Sequence, residues 1–303
     1  MYAVIDIGSN TVRLVLYKVI DGELRQMLNS KEPAGLAGYI DSDRRMTRKG
    51  VERLLQALRR FELVLEHIKP RRTFVFATAS LRGIVNTAEV LSAVRTECAM
   101  EVNVISGEEE AMLDFSGARR TLSAPDGLMV DIGGGSTELV AFRDGEIREA
   151  VSLPIGSLNM FTKYVSDVIP TRAELKTIRR HAASLMEEYP LHSGEGRALL
   201  CGVGGTCRAS CKLSDELFDT DHGYSGYPAI QVKGILKLVK TDRERLVGAI
   251  IKSAPDRLHT LLPGMAILSA VIERYGCEHF VASPYGVREG YLLEKLEETG
   301  HDG

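Results

Sequence analysis

Two short stretches carry the residue types that phosphate chemistry needs. Asp6-Ile7-Gly8-Ser9-Asn10 lies near the start of the chain, and Asp131-Ile132-Gly133-Gly134-Gly135-Ser136-Thr137-Glu138 lies mid-chain. Each follows an apolar run, Tyr2-Ala3-Val4-Ile5 or Leu128-Met129-Val130, and so reads as a buried strand that delivers a carboxylate to a glycine turn. Glycines let backbone N–H groups approach an anion closely. The acid suits a metal and the turn suits phosphate. A second copy 125 residues further on points to a duplicated fold with a phosphate site between the copies.

Asp131 and Glu138 flank the second turn, where a tight hairpin brings both acids toward one point. Mg²⁺ takes one or two carboxylates of this kind together with phosphate and water. A turn acid at Asp131 and an outward strand residue at Glu138 fit the spacing equally well. Gly133, Gly134 and Gly135 free the backbone for an anion nest, with Ser136 and Thr137 adding hydroxyls. Gly204-Gly205-Thr206 repeats the idea at a strand-to-helix junction, where a helix N-terminus attracts anions.

In Ser106-Gly107-Glu108-Glu109-Glu110-Ala111 the Ser106/Glu109 pair forms a capping box, and Glu108 suits the positive end of the helix dipole. Glu110 is left without a structural purpose. It is a candidate general base for activating water, with a solvated helix acid as the alternative. Arg82, leaving the run Ala77-Thr78-Ala79-Ser80-Leu81, and Arg13, beside the first turn, have the fork of donors that phosphate accepts. On position alone both read as surface salt-bridge residues, and Arg44, Arg45, Arg48 and Lys49 read as a solvated helix start.

The elements that must position these groups also come in two sets. Val12, Leu14, Leu16 and Val19 continue a strand, Asp21-Gly22 turns it, and Glu23 to Leu28 returns; Leu139-Val140 and Asp144-Gly145 repeat the plan with a hairpin two residues shorter. Apolar residues from Val51 to Ile68 recur at helical spacing, predicting a helix over 47–68 that ends before Pro70. Strands are expected at 73–77 and 101–105 with a helix over 86–98 between them. Further helices are expected near 156–164, 171–189, 229–250 and 263–275, strands at 198–202 and 279–282, and a last helix over 287–298. Ser214 to Tyr227 reads as a surface loop, with ligand contact by His222, Tyr224 or Tyr227 the less favoured reading.

A chain of 303 residues is long enough for two cores, and a net charge of -3 argues against a nucleic-acid polymer as partner. The five cysteines, Cys98, Cys201, Cys207, Cys211 and Cys277, lack zinc-site spacing and read as reduced thiols. With neither a leader nor an apolar stretch near the ~20 residues that span a bilayer, the chain reads as cytoplasmic and not membrane-bound.

Taken together and in order, these motifs resemble the exopolyphosphatase/guanosine pentaphosphate phosphohydrolase family of the actin/Hsp70/sugar-kinase superfamily. The resemblance also runs through Ser152-Leu153-Pro154-Ile155-Gly156, His222-Gly223 and Arg288-Glu289-Gly290. It implies an α/β fold of two ribonuclease-H-like (actin-like ATPase) domains around a central cleft. The boundaries expected are 1–120, completed by a C-terminal helix over 290–303, and 121–289. It also implies release of terminal phosphate from inorganic polyphosphate or pppGpp with Mg²⁺ or Mn²⁺. Carried over by position, Glu110 becomes the catalytic acid, and Asp131 and Glu138 the metal carboxylates. Phosphate binding falls to Asp6, Gly8, Ser9, Asn10, Arg13, Arg82, Gly133, Gly134, Gly135, Ser136, Gly204, Gly205 and Thr206.

The sequence departs from the family where an Arg-Leu-Gly element is usual, reading Lys31-Glu32-Pro33-Ala34-Gly35-Leu36-Ala37-Gly38 instead, so a phosphate contact there is in doubt. Long members carry a further helical module, so weaker grip on long chains is expected. A binding-only sensor and an ATP-dependent kinase of the same superfamily rank behind the hydrolase, and a homodimer is the default assembly.

Overall fold

In the computed structural model, which describes residues 1–122, 124–194 and 198–298, two sheets repeat one plan. The chain divides into two units: Met1–Gly107 with the chain from Leu292 onward, and Glu108–Tyr291.

In the first unit β1 (Tyr2–Ile7), β2 (Thr11–Ile20) and β3 (Glu23–Pro33) form an antiparallel meander. The helix α1 (Arg48–Ile68) leads to β4 (Arg72–Ala77), then to α2 (Ala79–Arg82), α3 (Thr87–Cys98) and a two-residue β5 (Asn103–Val104). The sheet order is β3-β2-β1-β4-β5, with β4 and β5 parallel to β1. β1 lies centrally because Ala3, Val4, Ile5 and Ile7 are all fully buried, so both its faces are covered. Asp21 and Gly22 both have positive φ, the geometry of a two-residue hairpin turn whose twist matches the strands. The Thr47 hydroxyl caps α1 by accepting from the Gly50 N–H, and Lys69 ends it in the left-handed region just before Pro70. Leu54, Leu58 and Phe61 on its inner face are buried, each contributing about 1.5–3 kcal/mol.

In the second unit α4 (Gly107–Arg119) precedes the hairpins β6 (Gly127–Ile132), β7 (Thr137–Arg143) and β8 (Glu146–Leu153). There follow α5 (Ser157–Tyr164), α6 (Arg172–Glu188), β9 (Leu199–Val203), α7 (Gly204–Phe218), β10 (Tyr227–Pro228), α8 (Ile230–Thr241), α9 (Arg243–Ser253), α10 (Leu261–Tyr275), β11 (His279–Ala282) and α11 (Val287–Glu298), whose residues from Leu292 belong to the first unit. The order β10-β11-β9-β6-β7-β8 reproduces the first sheet, read from the other edge, with β10 added. Asp144 and Gly145 again both have positive φ. The duplication expected from the two motifs, and the ribonuclease-H-like plan that the resemblance implies, are thus present in each unit.

Several boundaries differ from expectation. α4 lies in the second unit rather than ending the first, because it packs there: Gly290 of α11 lies on the Leu113 carbonyl, Phe115 meets Phe142 at 5.2 Å, and the Val287 N–H donates to Asp114 at 2.7 Å. The loop expected over 214–227 begins only after Phe218, since Leu213 and Leu217 are buried and extend the apolar face of α7. The helix expected over 229–250 is two helices, divided where the Asp242 carboxylate accepts from the Arg245 N–H and starts α9. The strand expected over 101–105 keeps two residues, and the part of the expected C-terminal helix beyond 298 lies outside the described residues.

Candidate active site

In the second unit Asp131 and Glu138 are direct cross-strand partners of β6 and β7, so both side chains leave the same face of the sheet. The Gly133 N–H closes the turn on the Ser136 carbonyl at 3.0 Å. All three glycine carbonyls are taken up by the start of α5: Gly133 accepts from the Ser157 N–H (2.8 Å), Gly134 from the Leu158 and Asn159 N–H groups (3.0 Å each), and Gly135 from Asn159 Nδ2 (2.9 Å). Gly156 permits this contact, because a Cβ there would meet the Gly134 carbonyl carbon at 2.5 Å. Among the described residues no backbone hydrogen bond engages the N–H of Gly134, Gly135 or Ser136. A turn whose carbonyls are committed and whose N–H groups are not is a seat for an anion.

Asp131 reaches from this hairpin to the start of α7. Gly204 has φ +75°, and a Cβ on it would fall on Asp131 Oδ1, so the carboxylate occupies the space that the missing side chain leaves. No side chain caps α7, whose first N–H groups therefore keep their capacity for an anion. The Thr206 hydroxyl is committed, donating to the Ile132 carbonyl at 2.9 Å, and so anchors the turn from behind. Arg257 lies against Gly205, where a Cβ would strike its Nη2. Burial lowers this guanidinium from its usual range, Asp256 pulls it up, and Arg208 adds to the fall.

Glu108 is exposed, whereas Glu110 is buried at 7% exposure. One turn further along the same face of α4 is Asp114, fully buried. Its Oδ1 accepts from the Val287 N–H, and its Oδ2 has no partner among the described residues. Burial pushes its carboxyl well above the usual carboxylate range, and the charges of Asp131, Glu110 and Glu138 push it further, against the Val287 bond. Glu138 Oε1 accepts from the Ser152 hydroxyl at 2.8 Å. Among the described residues no group of three or more His, Cys, Asp and Glu side chains is spaced to hold a metal ion. The paired Asp131 and Glu138 thus do not make a closed metal cage. They fit an ion that draws its other ligands from phosphate and water.

Asp6, Gly8, Ser9, Asn10, Arg13 and Arg82 belong to the first unit. Asp6 and Arg13 are direct cross-strand partners, and the Gly8 N–H closes the turn on the Thr11 carbonyl at 3.1 Å. The carbonyls of Ser9 and Asn10 are taken up by the N–H groups of Ala34, Gly35 and Ala37, the segment where the family pattern breaks. Arg13 Nη1 donates to Asn29 Oδ1 at 3.3 Å, and Arg82 Nη1 stands 3.4 Å from the Ile105 carbonyl. The Ser80 hydroxyl donates to the Ile7 carbonyl at 2.6 Å, the counterpart of Thr206 on Ile132.

Asp114 and Arg257 escaped the sequence reading. Asp114 stands four residues after Glu110, a helical spacing that marks a shared face, whereas nothing around Arg257 singles it out. Tyr227 is buried with its hydroxyl on Ser210 at 3.1 Å and cannot line a ligand loop, and the Asp215 carboxylate holds the His222 and Gly223 N–H groups. All five cysteines are free and buried, and burial pushes the Cys201, Cys211 and Cys277 thiols up to about 12. No described helix is long and apolar enough to cross a membrane.

A family model described as the Ppx/GppA phosphatase family matches residues 15–299, a stretch that begins after the first glycine turn. The chain is 30% identical over 307 residues to the guanosine-5'-triphosphate,3'-diphosphate pyrophosphatase of Aeromonas hydrophila, covering 100% of this chain and 60% of that protein's length. It is 28% identical over 309 residues to exopolyphosphatase 1 of Mycobacterium tuberculosis, covering 97% and 88%. Among solved structures, the Aquifex aeolicus member of the Ppx/GppA family superposes with a TM-score of 0.77 at 25% identity over 99% of both chains. An exopolyphosphatase from Cytophaga hutchinsonii shares the fold with a TM-score of 0.82 at 22% identity over 98% of both. The chain belongs to the Ppx/GppA phosphatase family.

Proposed function

We propose that the protein hydrolyses terminal phosphoanhydride bonds, releasing orthophosphate from inorganic polyphosphate or from pppGpp. The observation that carries this reading is the burial of Glu110 on the face of α4 that also carries Asp114, whose carboxyl feels the charges of Glu110, Asp131 and Glu138, together with a glycine turn whose N–H groups are uncommitted among the described residues. Phosphoryl transfer depends mostly on positioning and electrostatics, and these groups supply both. The N–H groups of Gly134, Gly135 and Ser136 and those of Gly204, Gly205 and Thr206 receive phosphoryl oxygens, with the Arg257 cation at the second of these. Glu110 orients the attacking water and takes its proton. Asp131 and Glu138 would hold Mg²⁺ or Mn²⁺, which when bound neutralises charge on the phosphate oxygens. Within the first unit, Asp6, Gly8, Ser9, Asn10, Arg13 and Arg82 are the residues for phosphate contact. A reducing cytoplasm suits the free, buried thiols.

The test is orthophosphate release in the presence of Mg²⁺ from long polyphosphate, tripolyphosphate, pppGpp and ATP in parallel. Release from the first three is expected. Activity confined to ATP with an acceptor-dependent product would replace this reading with a kinase, and tight binding without release would replace it with a sensor.

A further inference from the structure

The first unit contains a cavity of about 920 Å³ with Asn10 in its wall, within the usual size of small-molecule sites. One side is the segment Pro33 to Gly38, the stretch that departs from the family pattern. The other is a face of α1 on which Lys49, Glu52, Arg53, Gln56 and Arg59 recur at three- and four-residue spacing.

The charges of this face do not cancel. Glu52 is bonded to Arg48 at 3.1 Å and Arg59 to Glu97 at 2.5 Å, which accounts for the one acid of the lining and one of its cations. Lys49 is exposed and has no hydrogen bond or ion pair among the described residues. Arg53 donates to the Pro33 carbonyl at 2.7 Å and to Gln56 Oε1 at 3.1 Å and has no carboxylate partner, so its guanidinium is fixed in place with its charge uncompensated. The opposite wall is joined to the glycine turn, since Ala34 and Gly35 donate to the Asn10 carbonyl at 3.1 and 2.9 Å and Ala37 to that of Ser9 at 3.0 Å. The cavity therefore runs from the turn to two unpaired cations.

We propose that this cavity is an accessory polyanion site, in which Lys49 and Arg53 bind phosphate groups beyond the one held at the Ser9-Asn10 turn. The inference rests on the phosphoanhydride reading above. The shared ligand chemistry is a phosphate or diphosphate group, carried either by a polyphosphate chain or by the 3'-end of pppGpp.

The test is equilibrium binding of long polyphosphate, tripolyphosphate, pppGpp and GTP to the wild-type protein and to Lys49→Glu, in EDTA so that the ligands stay intact. Lys49 is exposed and makes no hydrogen bond or ion pair among the described residues, so its reversal should leave the protein folded. The expected result is that Lys49→Glu weakens long polyphosphate about tenfold more than tripolyphosphate, or pppGpp about tenfold more than GTP. The first outcome assigns the site to the chain and the second to the 3'-diphosphate. Arg53→Lys, which keeps the charge and loses the fork, should fall between wild type and Lys49→Glu. Equal weakening of all four ligands, or of none, would overturn the proposal. Orthophosphate release by a protein that fails this test would remove the accessory site and leave the hydrolase reading. Discrimination that depends on Lys49 in a protein that releases no orthophosphate would do the reverse.

Discussion

The two hairpins share a backbone and differ in charge. Asp6 and Asp131 lie at the ends of equivalent strands, Gly8 and Gly133 close equivalent turns, and a hydroxyl from the helix after the neighbouring parallel strand holds the carbonyl just before each turn. The residue facing the acid is Arg13 in the first unit and Glu138 in the second. One hairpin therefore offers a neutral pair with a cation for phosphate, and the other a doubly acidic face for a cation. The charges of the second pair also reach Asp114, which feels Glu110 as well, so negative charge accumulates around that carboxyl. The two repeats keep one backbone plan and differ in charge at one equivalent position, Arg13 against Glu138.

This contrast is open to test. Glu138→Gln removes half of the acidic pair and should lower kcat by about 10²–10³, the scale of losing one electrostatic stabiliser. Arg13→Gln at the equivalent position should raise KM with kcat largely retained, as loss of a binding contact does. Steady-state phosphate release on both variants checks the pair, and equal effects on kcat would abolish the distinction.

The hydroxyl anchors should behave alike and unequally strongly. Thr206→Val leaves the buried Ile132 carbonyl without its donor and should cost about 1–3 kcal/mol in urea unfolding. Ser80→Ala should cost less, because the Ile7 carbonyl keeps the Thr78 N–H at 3.4 Å.

A smaller effect is expected from Asp114. Its carboxyl is raised in the folded protein, so the native state holds the proton more tightly than the unfolded chain does. The associated stability is complete below the unfolded value of about 3.9 and is lost as pH rises through the folded value. Asp114→Asn keeps an acceptor for the Val287 N–H and cannot titrate. In EDTA its stability should therefore decline less with pH above about 4 than that of the wild type. Parallel curves would remove Asp114 from the acidic group.

Much of this was legible in the sequence. The acid-glycine turns, the two-residue hairpins at Asp21-Gly22 and Asp144-Gly145, and the α1 helix are local signals, set by backbone geometry and by apolar spacing within a few residues. Glu110 stood out because capping explained its neighbours and not it. What stayed hidden depends on distant partners. Asp114 reads as an ordinary helix acid until α11 covers it, and Arg257 gains its place only from Gly205, some fifty residues earlier. Ser214 to Phe218 looked polar enough for a loop, but Leu213 and Leu217 hold it in a helix. The segment from Pro33 to Gly38 looked like a lost contact, and its role as the wall that holds the Asn10 turn appears only from its hydrogen bonds.

The account stands or falls on Glu110. Single-turnover phosphate release from tripolyphosphate by Glu110→Gln, with its circular dichroism and ligand affinity compared with wild type, tests it most directly. A fall of about 10²–10⁴ in rate with fold and affinity retained is the predicted result. Release within a few-fold of wild type would show that the proton goes elsewhere and contradict the assignment.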